Sequence, residues 1–477
     1  MKGKFIVTIT PPTPNGDLHL GHMSGPFLAA DVLSRRLKQQ GYDVLLVSYA
    51  DDYQSYLPRK SKPLRRQPFE FARLVRDMML NTMALADIDI DCFLQASDSD
   101  DYRQAAAHYV TRVADQVVLR TGKVFYCASC ECYGYEGFGR GHCNWCGTSS
   151  DASQCEHCAR MPDINQMPSM TCMSCQQPMV ETSVEQYVWR VGENYPAVAQ
   201  VHKNKPMRQC LSDYLDTALS DVSEVWPITR PGDAGLQLDQ LAQQPLHTWF
   251  MGLAGYQACV NSYLREYPER GSFAHWWNDQ TQLIHFLGFD CSYSHAIGYV
   301  AQQLNDPQGP PPGQFITNRF LKLNGDDFST SRGHAVWIRD MAAHYPADAI
   351  RLYTALFAPE TEVKNFVQAD FDLWFTSFFT PLALAVDAAG HAVLDAVAGD
   401  VEADLLDSTE AFYQRWCEHA SISQFSMAGM ANALCGISDL LLSRPAIQSP
   451  NNWLRWAEMA QALCPQLAAT IYAAGAQ

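Results

Sequence analysis

The sequence of 477 residues is poor in positive charge. It contains 34 Lys and Arg residues against 51 Asp and Glu residues, which gives a formal net charge of −17. Binding to the phosphate backbone of nucleic acids normally needs a basic surface. The imbalance therefore argues against a large nucleic-acid footprint, although one local basic strip could still be hidden within it.

Long apolar runs, internal repeats and low-complexity linkers are also missing. No segment reaches the roughly 18 uninterrupted apolar residues that a membrane helix needs. The apolar run in the first ten residues, MKGKFIVTIT, is too short for a signal peptide. We therefore expect a cytoplasmic protein. Its length predicts several domains, because 477 residues are too many for one compact core.

Cysteine is concentrated in one stretch, although disulfide bonds are not expected in a reducing compartment. Nine of the 16 cysteines lie between residues 127 and 175. Eight of them form four Cys-x-x-Cys pairs: Cys127/Cys130, Cys143/Cys146, Cys155/Cys158 and Cys172/Cys175. Two pairs complete the tetrahedral shell of one zinc ion and leave no open position, so we expect two structural Zn²⁺ ions. Sequential and nested pairing both give feasible loops, and Cys132 is expected to be spare.

Strand and helix patterns alternate on both sides of this stretch. Residues 5–10 and 43–50 are apolar runs typical of buried parallel strands, and a helical pattern at 20–39 connects them. Helical patterns follow at 69–85, 101–121 and 292–304, strand patterns at 184–191, 283–287 and 315–323, and the chain reads as helical from about 341. The order predicts an α/β fold with the cysteine-rich stretch as an insertion.

A histidine pair follows the first predicted strand. His19-Leu20-Gly21-His22 comes after a Pro/Asn/Gly turn cluster and would begin a helix, whose N-terminal end attracts phosphate. Glycine leaves room for a base or ribose, and the imidazoles can donate to phosphoryl oxygens as charge develops. The alternative is a pair of histidines that cap an ordinary helix.

The segment PPTPNGDLHLGHM resembles the HIGH signature of class I aminoacyl-tRNA synthetases, and Ala50-Asp51-Asp52 resembles the ADD triplet of the methionyl-tRNA synthetase subgroup. Trp249 with Tyr256, and then HFLGFD at 285–290 with Tyr293 and His295, follow in the family's order. The resemblance covers roughly residues 4–370. It implies a Rossmann-type parallel-sheet catalytic domain, a zinc-knuckle connective insertion and an α-helical C-terminal domain.

The resemblance also implies domain bounds and metal ligands. The catalytic domain would comprise residues 1–117 and 236–340, the insertion 118–235, and the helical region 341–477. The nested zinc arrangement is usual in the two-zinc form of the family. One ion would be bound by Cys127, Cys130, Cys172 and Cys175, and the other by Cys143, Cys146, Cys155 and Cys158.

The implied reaction is attack of an amino-acid carboxylate on the α-phosphate of ATP, with Mg²⁺ neutralising the phosphates. By position, the catalytic residues are His19, His22, Ser329, Thr330 and Arg332; the ATP-binding residues are Gly21, Gly288, Asp290 and Ser331; the amino-acid-binding residues are Pro11, Thr13, Asp52, Trp249, Tyr256, Cys291 and His295. Asp52 would hold the substrate's α-ammonium group, with Asp290 and Gly288 at the ribose. A salt-bridged core aspartate and plain core aromatic residues are the alternatives.

Two departures from the family pattern stand out. The Lys-Met-Ser-Lys-Ser signature before Arg-Gly is replaced by DFSTSRG at 327–333, so both lysines are missing. Thr330 cannot supply the cation that stabilises the migrating phosphates. Arg332, Arg319 or Lys322 could compensate, so slow activation and complete loss of ATP chemistry both remain open. Pro11 and Thr13 stand where the family has leucine and tyrosine, which makes methionine doubtful as the substrate.

The C-terminal region differs most from the family. Residues 381–477 contain three arginines, no lysine and ten carboxylates, a net charge of −7. In the family this region reads the anticodon, and such acidity would repel RNA. Trp416, Trp453 and Trp456 lie at helical spacing and are expected in the core. We therefore predict an ATP-dependent ligase that passes the aminoacyl group to a non-tRNA acceptor, such as a small amine, a hydroxylamine or a carrier protein. The resemblance to synthetase-like domains of natural-product pathways also implies a partner enzyme such as a cupin. A genuine methionine–tRNA ligase and a catalytically silent binding protein are the alternatives.

Overall fold

The structure, a computed structural model, describes residues 3–232, 234–328, 333–396 and 407–475. The chain divides into two compact units. The sheet unit contains residues 1–17, 43–80 and 90–317, and the helical unit contains residues 18–42, 81–89 and 318–477. Both units draw on separate parts of the chain, and the four-part domain division predicted from the sequence stays a prediction.

The described strands are β1 Lys4–Ile9, β2 Asp43–Ala50, β3 Cys92–Gln95, β4 Val117–Cys127, β5 Cys132–Tyr133, β6 Gly139–His142, β7 Ser149–Ser150, β8 Met170–Cys172, β9 Val180–Trp189, β10 Trp226–Pro227, β11 Thr281–Gly288, β12 Gln314–Asn318, β13 Leu321–Leu323, β14 Asp326–Asp327 and β15 Lys364–Phe366.

The described α-helices are α1 Leu20–His22, α2 Leu28–Gln39, α3 Tyr56–Ser61, α4 Pro68–Leu85, α5 Asp100–Arg112, α6 Tyr195–His202, α7 Gln209–Ala218, α8 Gly252–Glu266, α9 Phe273–Trp276, α10 Val300–Leu304, α11 Ile338–Ala342, α12 Ala347–Leu356, α13 Gln368–Trp374, α14 Thr380–Ala396, α15 Asp407–His419, α16 Met427–Ser443, α17 Pro450–Leu463 and α18 Pro465–Gly475.

A five-stranded sheet in the order β12-β11-β1-β2-β3 forms the centre of the sheet unit. β1 runs parallel to β11 and β2, and β2 runs parallel to β3. The apolar runs of β1 and β2 are buried along almost their whole length, as expected for strands covered on both faces. The predicted α/β fold with a parallel sheet is therefore confirmed.

The insertion is built on a long antiparallel pair, β4 with β9. The helix predicted for 101–121 was wrong at its end, because α5 stops at Arg112 and residues 117–127 form β4. This segment is rich in β-branched and aromatic residues, and pairing with β9 satisfies its backbone groups. Beyond β4, turns between small strands carry the other cysteine pairs, and β6 lies between β7 and β8.

Helices make up most of the helical unit, as predicted. Trp416, Trp453 and Trp456 are all buried, which confirms that these rings belong to the core rather than to an exposed stacking surface. A continuous helical segment, Gln368–Gly390, has a mean hydropathy of 1.3 and could cross a membrane by length and composition alone. A single such helix is weak evidence for a membrane span.

Candidate active site

Two histidines begin the first helix of the helical unit. Nδ1 of His19 accepts a hydrogen bond from the N–H of Gly21 at 3.1 Å, and Nδ1 of His22 accepts from the N–H of His19 at 3.2 Å. The ring centroids are 3.9 Å apart. Because both Nδ1 atoms accept, a neutral ring carries its proton on Nε2, where it can donate to a phosphoryl oxygen.

Burial, with a smaller contribution from His22, lowers the pKa of His19 well below 6.5. His19 is therefore neutral at pH 7, so its Nε2–H is available as a hydrogen-bond donor and the ring carries no fixed charge. A Cβ atom at Gly21 would lie 2.9 Å from Cε1 of His19, so a larger residue would displace the ring. This contact gives the glycine between the histidines a positioning role.

Phe328, which the sequence analysis did not select, packs on the first histidine. Its ring stacks on His19 with centroids 5.0 Å apart and an interplanar angle of 22°. Trp337 lies 6.0 Å from His19, centroid to centroid, and pairs with it in an isolated β-bridge. The sequence could have indicated this residue, because Phe328 occupies the methionine position of the altered Lys-Met-Ser-Lys-Ser signature.

Asp327 precedes this phenylalanine on β14. It lies opposite Lys322 of β13, with Nζ 3.8 Å from a carboxylate oxygen of Asp327. Both side chains reach solvent, so the ion pair adds little stability. The pairing means that Lys322 does not provide an unopposed cation. Ser329, Thr330, Ser331 and Arg332 lie outside the described residues, and their predicted roles stay predictions.

In the sheet unit, Asp52 is buried at 1% exposure. One carboxylate oxygen, Oδ2, accepts a hydrogen bond from the N–H of Ser97 at 2.7 Å. The other, Oδ1, is buried and has no hydrogen-bond partner among the residues that the structure describes. Burial raises the pKa of Asp52 to about 7. A buried carboxylate that has one unfilled oxygen and lies beside Ser97, Gln95 and Asp51 is suited to a cation such as an α-ammonium group.

Asp51 beside it has both oxygens occupied. The Thr248 hydroxyl donates to Oδ1 at 2.5 Å, and the Gln54 side-chain amide donates to Oδ2 at 2.8 Å. The N–H of Asp51 donates to the carbonyl of Pro12 at 3.0 Å, which ties the aspartates to the β1–α1 loop. Asp51 therefore holds the loop in place, while Asp52 keeps one free acceptor.

A buried ion pair supports the segment that follows β2. Arg230 donates to the two carboxylate oxygens of Glu136 at 2.9 and 3.2 Å, and also to the carbonyl of Tyr53. The N–H of Ser55 donates to Glu136 at 2.9 Å. The pair joins the insertion to the residues just after Asp52. Sequence reasoning missed it, because nothing in the spacing of Glu136 and Arg230 indicates that they meet.

The predicted amino-acid side-chain pocket contains a buried tyrosine–histidine contact. Nδ1 of His295 lies 3.1 Å from the carbonyl of Cys291, to which it donates. Nε2 then accepts from the Tyr256 hydroxyl at 2.9 Å. Burial lowers the pKa of His295 to about 3, so the ring is neutral. These bonds bring Tyr256, Cys291 and His295 together, and their predicted role in binding the amino acid stays a prediction.

Trp249 and Asp290 line one cavity of the sheet unit. Its other lining residues are Ser153, Gln154, Ala159, Met161, Trp226, Tyr293 and Ser294. The segment 153–161 belongs to the insertion, and Gln154 donates to the sulfur of Cys291 at 3.7 Å. Burial raises the pKa of Asp290 to about 7. The insertion thus contributes a wall to the predicted site, which the sequence analysis did not anticipate.

The other predicted residues lie at strand ends. Gly288 ends β11, directly before the turn that carries Asp290. Pro11 is buried and Thr13 half-buried on the loop after β1. Parallel β1 and β11 place both groups at the carboxyl edge of the same sheet, where ligands bind in open α/β folds. Their individual roles stay predictions.

The eight paired cysteines form two groups whose sulfurs lie within 4.8 Å of one another. One group contains Cys127, Cys130, Cys172 and Cys175, and the other Cys143, Cys146, Cys155 and Cys158. Cys132 belongs to neither group. The structure therefore agrees with the nested pairing and not with the sequential one.

Sulfur spacing fits a tetrahedral ion. A Zn–S distance of about 2.3 Å places neighbouring thiolates about 3.8 Å apart. The observed Sγ–Sγ distances include 3.6 Å for Cys127–Cys175 and 3.8 Å for Cys143–Cys158. The residue after each pair has a positive φ: Glu131 (53°), Gly147 (74°), Ala159 (60°) and Gln176 (60°). Each of the four pairs therefore has the same type of knuckle turn, which lets the two thiolates of that pair face the same point.

Comparison with known proteins agrees with this arrangement. The model of the family described as tRNA synthetases class I (M) matches residues 5–374. A methionine–tRNA ligase of Methanobrevibacter smithii is 26% identical over 372 residues, covering 77% of this chain and 56% of the relative. The corresponding ligase of Pyrococcus furiosus is 25% identical over 388 residues, covering 77% of this chain and 53% of the relative. The chain thus spans little more than half the length of these relatives.

A solved structure shares the fold. Mycobacterium tuberculosis methionyl-tRNA synthetase bound by methionyl-adenylate superposes with a TM-score of 0.72 at 15% identity, covering 98% of this chain and 93% of that one. The family match extends across both halves of the parallel sheet and the cysteine-rich insertion between them. On this evidence the chain belongs to the methionyl group of the class I tRNA synthetase family.

Proposed function

We propose that this protein activates an amino acid with ATP to form an aminoacyl-adenylate. The observation that carries the proposal is the buried, unfilled Oδ1 of Asp52, which can bind the α-ammonium group. The substrate carboxylate would attack the α-phosphorus, the bond from that phosphorus to the bridging oxygen would break, and pyrophosphate would leave with its electron pair. No covalent enzyme intermediate is needed.

The two histidines would stabilise the charge that develops on the phosphates. Their Nε2–H groups donate hydrogen bonds without the desolvation cost of a buried cation. Mg²⁺ bound to ATP would neutralise further charge. With threonine at position 330, the loop supplies less positive charge than the family's signature, so we expect slow activation. Thr330→Lys should accelerate it, and an unchanged rate would show that the missing cation is not limiting.

For the acceptor, we propose a molecule other than a full tRNA. The acidity of residues 381–477 and the burial of their tryptophans support this, because anticodon binding needs cations and accessible stacking surfaces. A small amine, a hydroxylamine or a carrier protein could serve. A cupin partner enzyme stays a prediction.

A genuine methionine–tRNA ligase is the second candidate. The relatives are named as methionine–tRNA ligases, and these names support the second candidate more directly than any observation supports a non-tRNA acceptor. It requires methionine to fit beside Pro11 and Thr13 and requires tRNA to bind despite the acidic region. The third candidate, a silent binding protein, could use Asp52 to bind the same ammonium group, but it does not account for the retained pair of His19 and His22.

Pyrophosphate exchange across the common amino acids and hydroxylated lysine, followed by charging of bulk tRNA, separates these candidates. Our proposal expects exchange with at least one amino acid and no charged tRNA. Exchange with methionine together with charged tRNA would establish the second candidate, and no exchange at all would favour the third.

We also propose that each cysteine group binds one structural zinc ion. Metal analysis of the purified protein should give about two zinc ions per chain. Cys158→Ser should remove one ion, and Cys127→Ser the other. Loss of both ions from either variant would contradict two independent sites.

A further inference from the structure

A short basic segment of the sheet unit has no role in the proposed reaction. It runs from Lys60 to Arg66, through the end of α3 and a 3₁₀ turn at Lys62–Leu64, and we call it the basic turn. Arg65 has a left-handed backbone with φ 54°, and Pro68 then begins α4. Within these seven residues, KSKPLRR, lie four cations in a chain of net charge −17.

The four cations, Lys60, Lys62, Arg65 and Arg66, lack any ion pair or side-chain hydrogen bond with the part of the chain that the structure describes. The arginines on either side are engaged. Arg59 donates to the carbonyl of Gly137 at 2.6 Å, and Arg73 pairs with Asp98 at 2.5 Å. The basic turn is thus a local positive surface that intramolecular carboxylates do not neutralise.

Exposed apolar side chains accompany these charges. Leu64 is 52% exposed, and Phe69, at the start of α4, is 40% exposed. A surface that bound phosphates alone would gain nothing from an exposed leucine. Apolar side chains among cations suit a protein that offers carboxylates and apolar residues together.

The segment that carries the basic turn is held in place. The Tyr56 hydroxyl donates to Asp151 at 2.9 Å, and the N–H of Ser55 donates to buried Glu136 at 2.9 Å. With the contact from Arg59 to Gly137, these bonds attach α3 to the insertion. A preorganised platform lowers the entropic cost of binding a partner.

We propose that the basic turn docks a partner protein through an acidic amphipathic helix. Carboxylates on the helix would pair with Lys62, Arg65 and Arg66, and its apolar face would cover Leu64 and Phe69. Long-range attraction between the basic turn and the acidic helix would speed their encounter at low ionic strength. This surface does not depend on the proposed activation reaction, since none of these residues belongs to the predicted site.

A peptide-binding experiment tests the proposal. The probe is a labelled helical peptide of about fifteen Glu, Ala and Leu residues with its leucines on one face, compared with a scrambled peptide of the same composition and with bulk tRNA. We expect the amphipathic peptide to bind the full-length protein about tenfold more tightly than the scrambled one, with affinity falling as salt is added.

Two charge-reversal variants separate local charge from net charge. Lys62→Glu/Arg65→Glu/Arg66→Glu should weaken binding of the amphipathic peptide about tenfold or more. The control, Arg120→Glu/Lys203→Glu/Arg444→Glu, changes net charge equally at scattered exposed sites and should stay within about twofold. Leu64→Ser should remove the preference for the amphipathic peptide.

Equal binding of both peptides, or equal weakening in both triple variants, would overturn the proposal. Tighter binding of bulk tRNA with the same dependence on the basic turn would replace the protein partner with RNA. Pyrophosphate exchange by the variants is measured separately and should be unchanged, so failure of the docking surface and failure of the proposed activity are distinguishable.

Discussion

Asp31 of the helical unit and Asp52 of the sheet unit are both buried, but they differ in how many hydrogen bonds their carboxylates accept. In the helical unit, Oδ2 of Asp31 accepts from Arg35 at 2.9 Å and from Arg351 at 2.7 Å, while its Oδ1 accepts from the N–H of Asp89 at 2.9 Å. In the sheet unit, Asp52 accepts at Oδ2 only, within the described residues.

The guanidinium that faces Asp31 is equally well satisfied. Arg351 also donates to the carbonyls of Ala86, Asp87, Ala462 and Leu463, at 2.7 to 3.1 Å. A fully bonded buried pair holds its surroundings together and has no capacity for a ligand. A buried carboxylate with one empty oxygen costs stability, and such a group is suited to binding a cation.

The largest expected effect is on the helical unit. Arg351→Met removes the fully buried cation beside Asp31, which keeps only Arg35, and it leaves four carbonyl groups without their donor. We expect the free energy of unfolding to fall by about 3–5 kcal/mol. Lys364→Met removes a cation from an exposed ion pair with Glu362 in the same unit, and it should cost under about 1 kcal/mol. Urea unfolding of both variants tests the difference. Equal losses of unfolding free energy would show that the buried pair stabilises the protein no more than the exposed pair does.

Asp52→Asn should behave in the opposite way. Folding raises the pKa of this carboxyl above 3.8, so the ionised group opposes folding at neutral pH and its removal should not destabilise the protein. The kcat/KM for the amino acid should fall roughly 30- to 150-fold, because a hydrogen bond to a charged group is lost. This loss corresponds to about 2–3 kcal/mol of transition-state stabilisation. A marked loss of stability without loss of activity would make Asp52 a structural residue.

The pH dependence of substrate binding should reflect the ionisation of the Asp52 carboxylate. With its pKa near 7, Asp52 is ionised above pH 7 and becomes protonated as the pH falls. The ammonium group needs the ionised form, so the KM for the amino acid should rise by up to about tenfold per pH unit below pH 7. In Asp52→Asn this rise should be absent, and an unchanged pH profile in the variant would assign the titration to another group.

The smallest expected effect concerns the wall contributed by the insertion. Gln154→Ala removes the hydrogen bond to Cys291 and should raise the KM for the amino acid about five-fold, roughly 1 kcal/mol, with little change in unfolding. Gln177→Ala, at an exposed position of the same insertion, is the control. If both variants leave the KM unchanged, the insertion does not shape the pocket.

Much of the fold could be predicted because its signals are local. The strands β1, β2 and β11, the helical segment from 20 to 39 and the knuckle pairs each follow from a short run of residues. The end of α5 could not be placed, since residues 117–127 become a strand only through pairing with distant β9. Periodicity within one segment carries no information about that partner.

The site was partly predictable for the same reason. Family motifs identified Asp52, Tyr256 and His295 as site residues, and the structure shows which groups each of them contacts. The supporting contacts, Arg230 with Glu136 and Gln154 with Cys291, join residues separated by 94 and 137 positions. Such pairs leave no trace in the spacing of one sequence, and only the folded chain reveals them.

The most direct test of the central claim is pyrophosphate exchange at pH 8 by the wild-type protein and Asp52→Asn, with each amino acid of the panel. The account predicts exchange by the wild-type protein with at least one amino acid, and a loss of about 30-fold or more in kcat/KM in the variant. Equal exchange by the two proteins, or none by the wild-type protein with any amino acid, would contradict it.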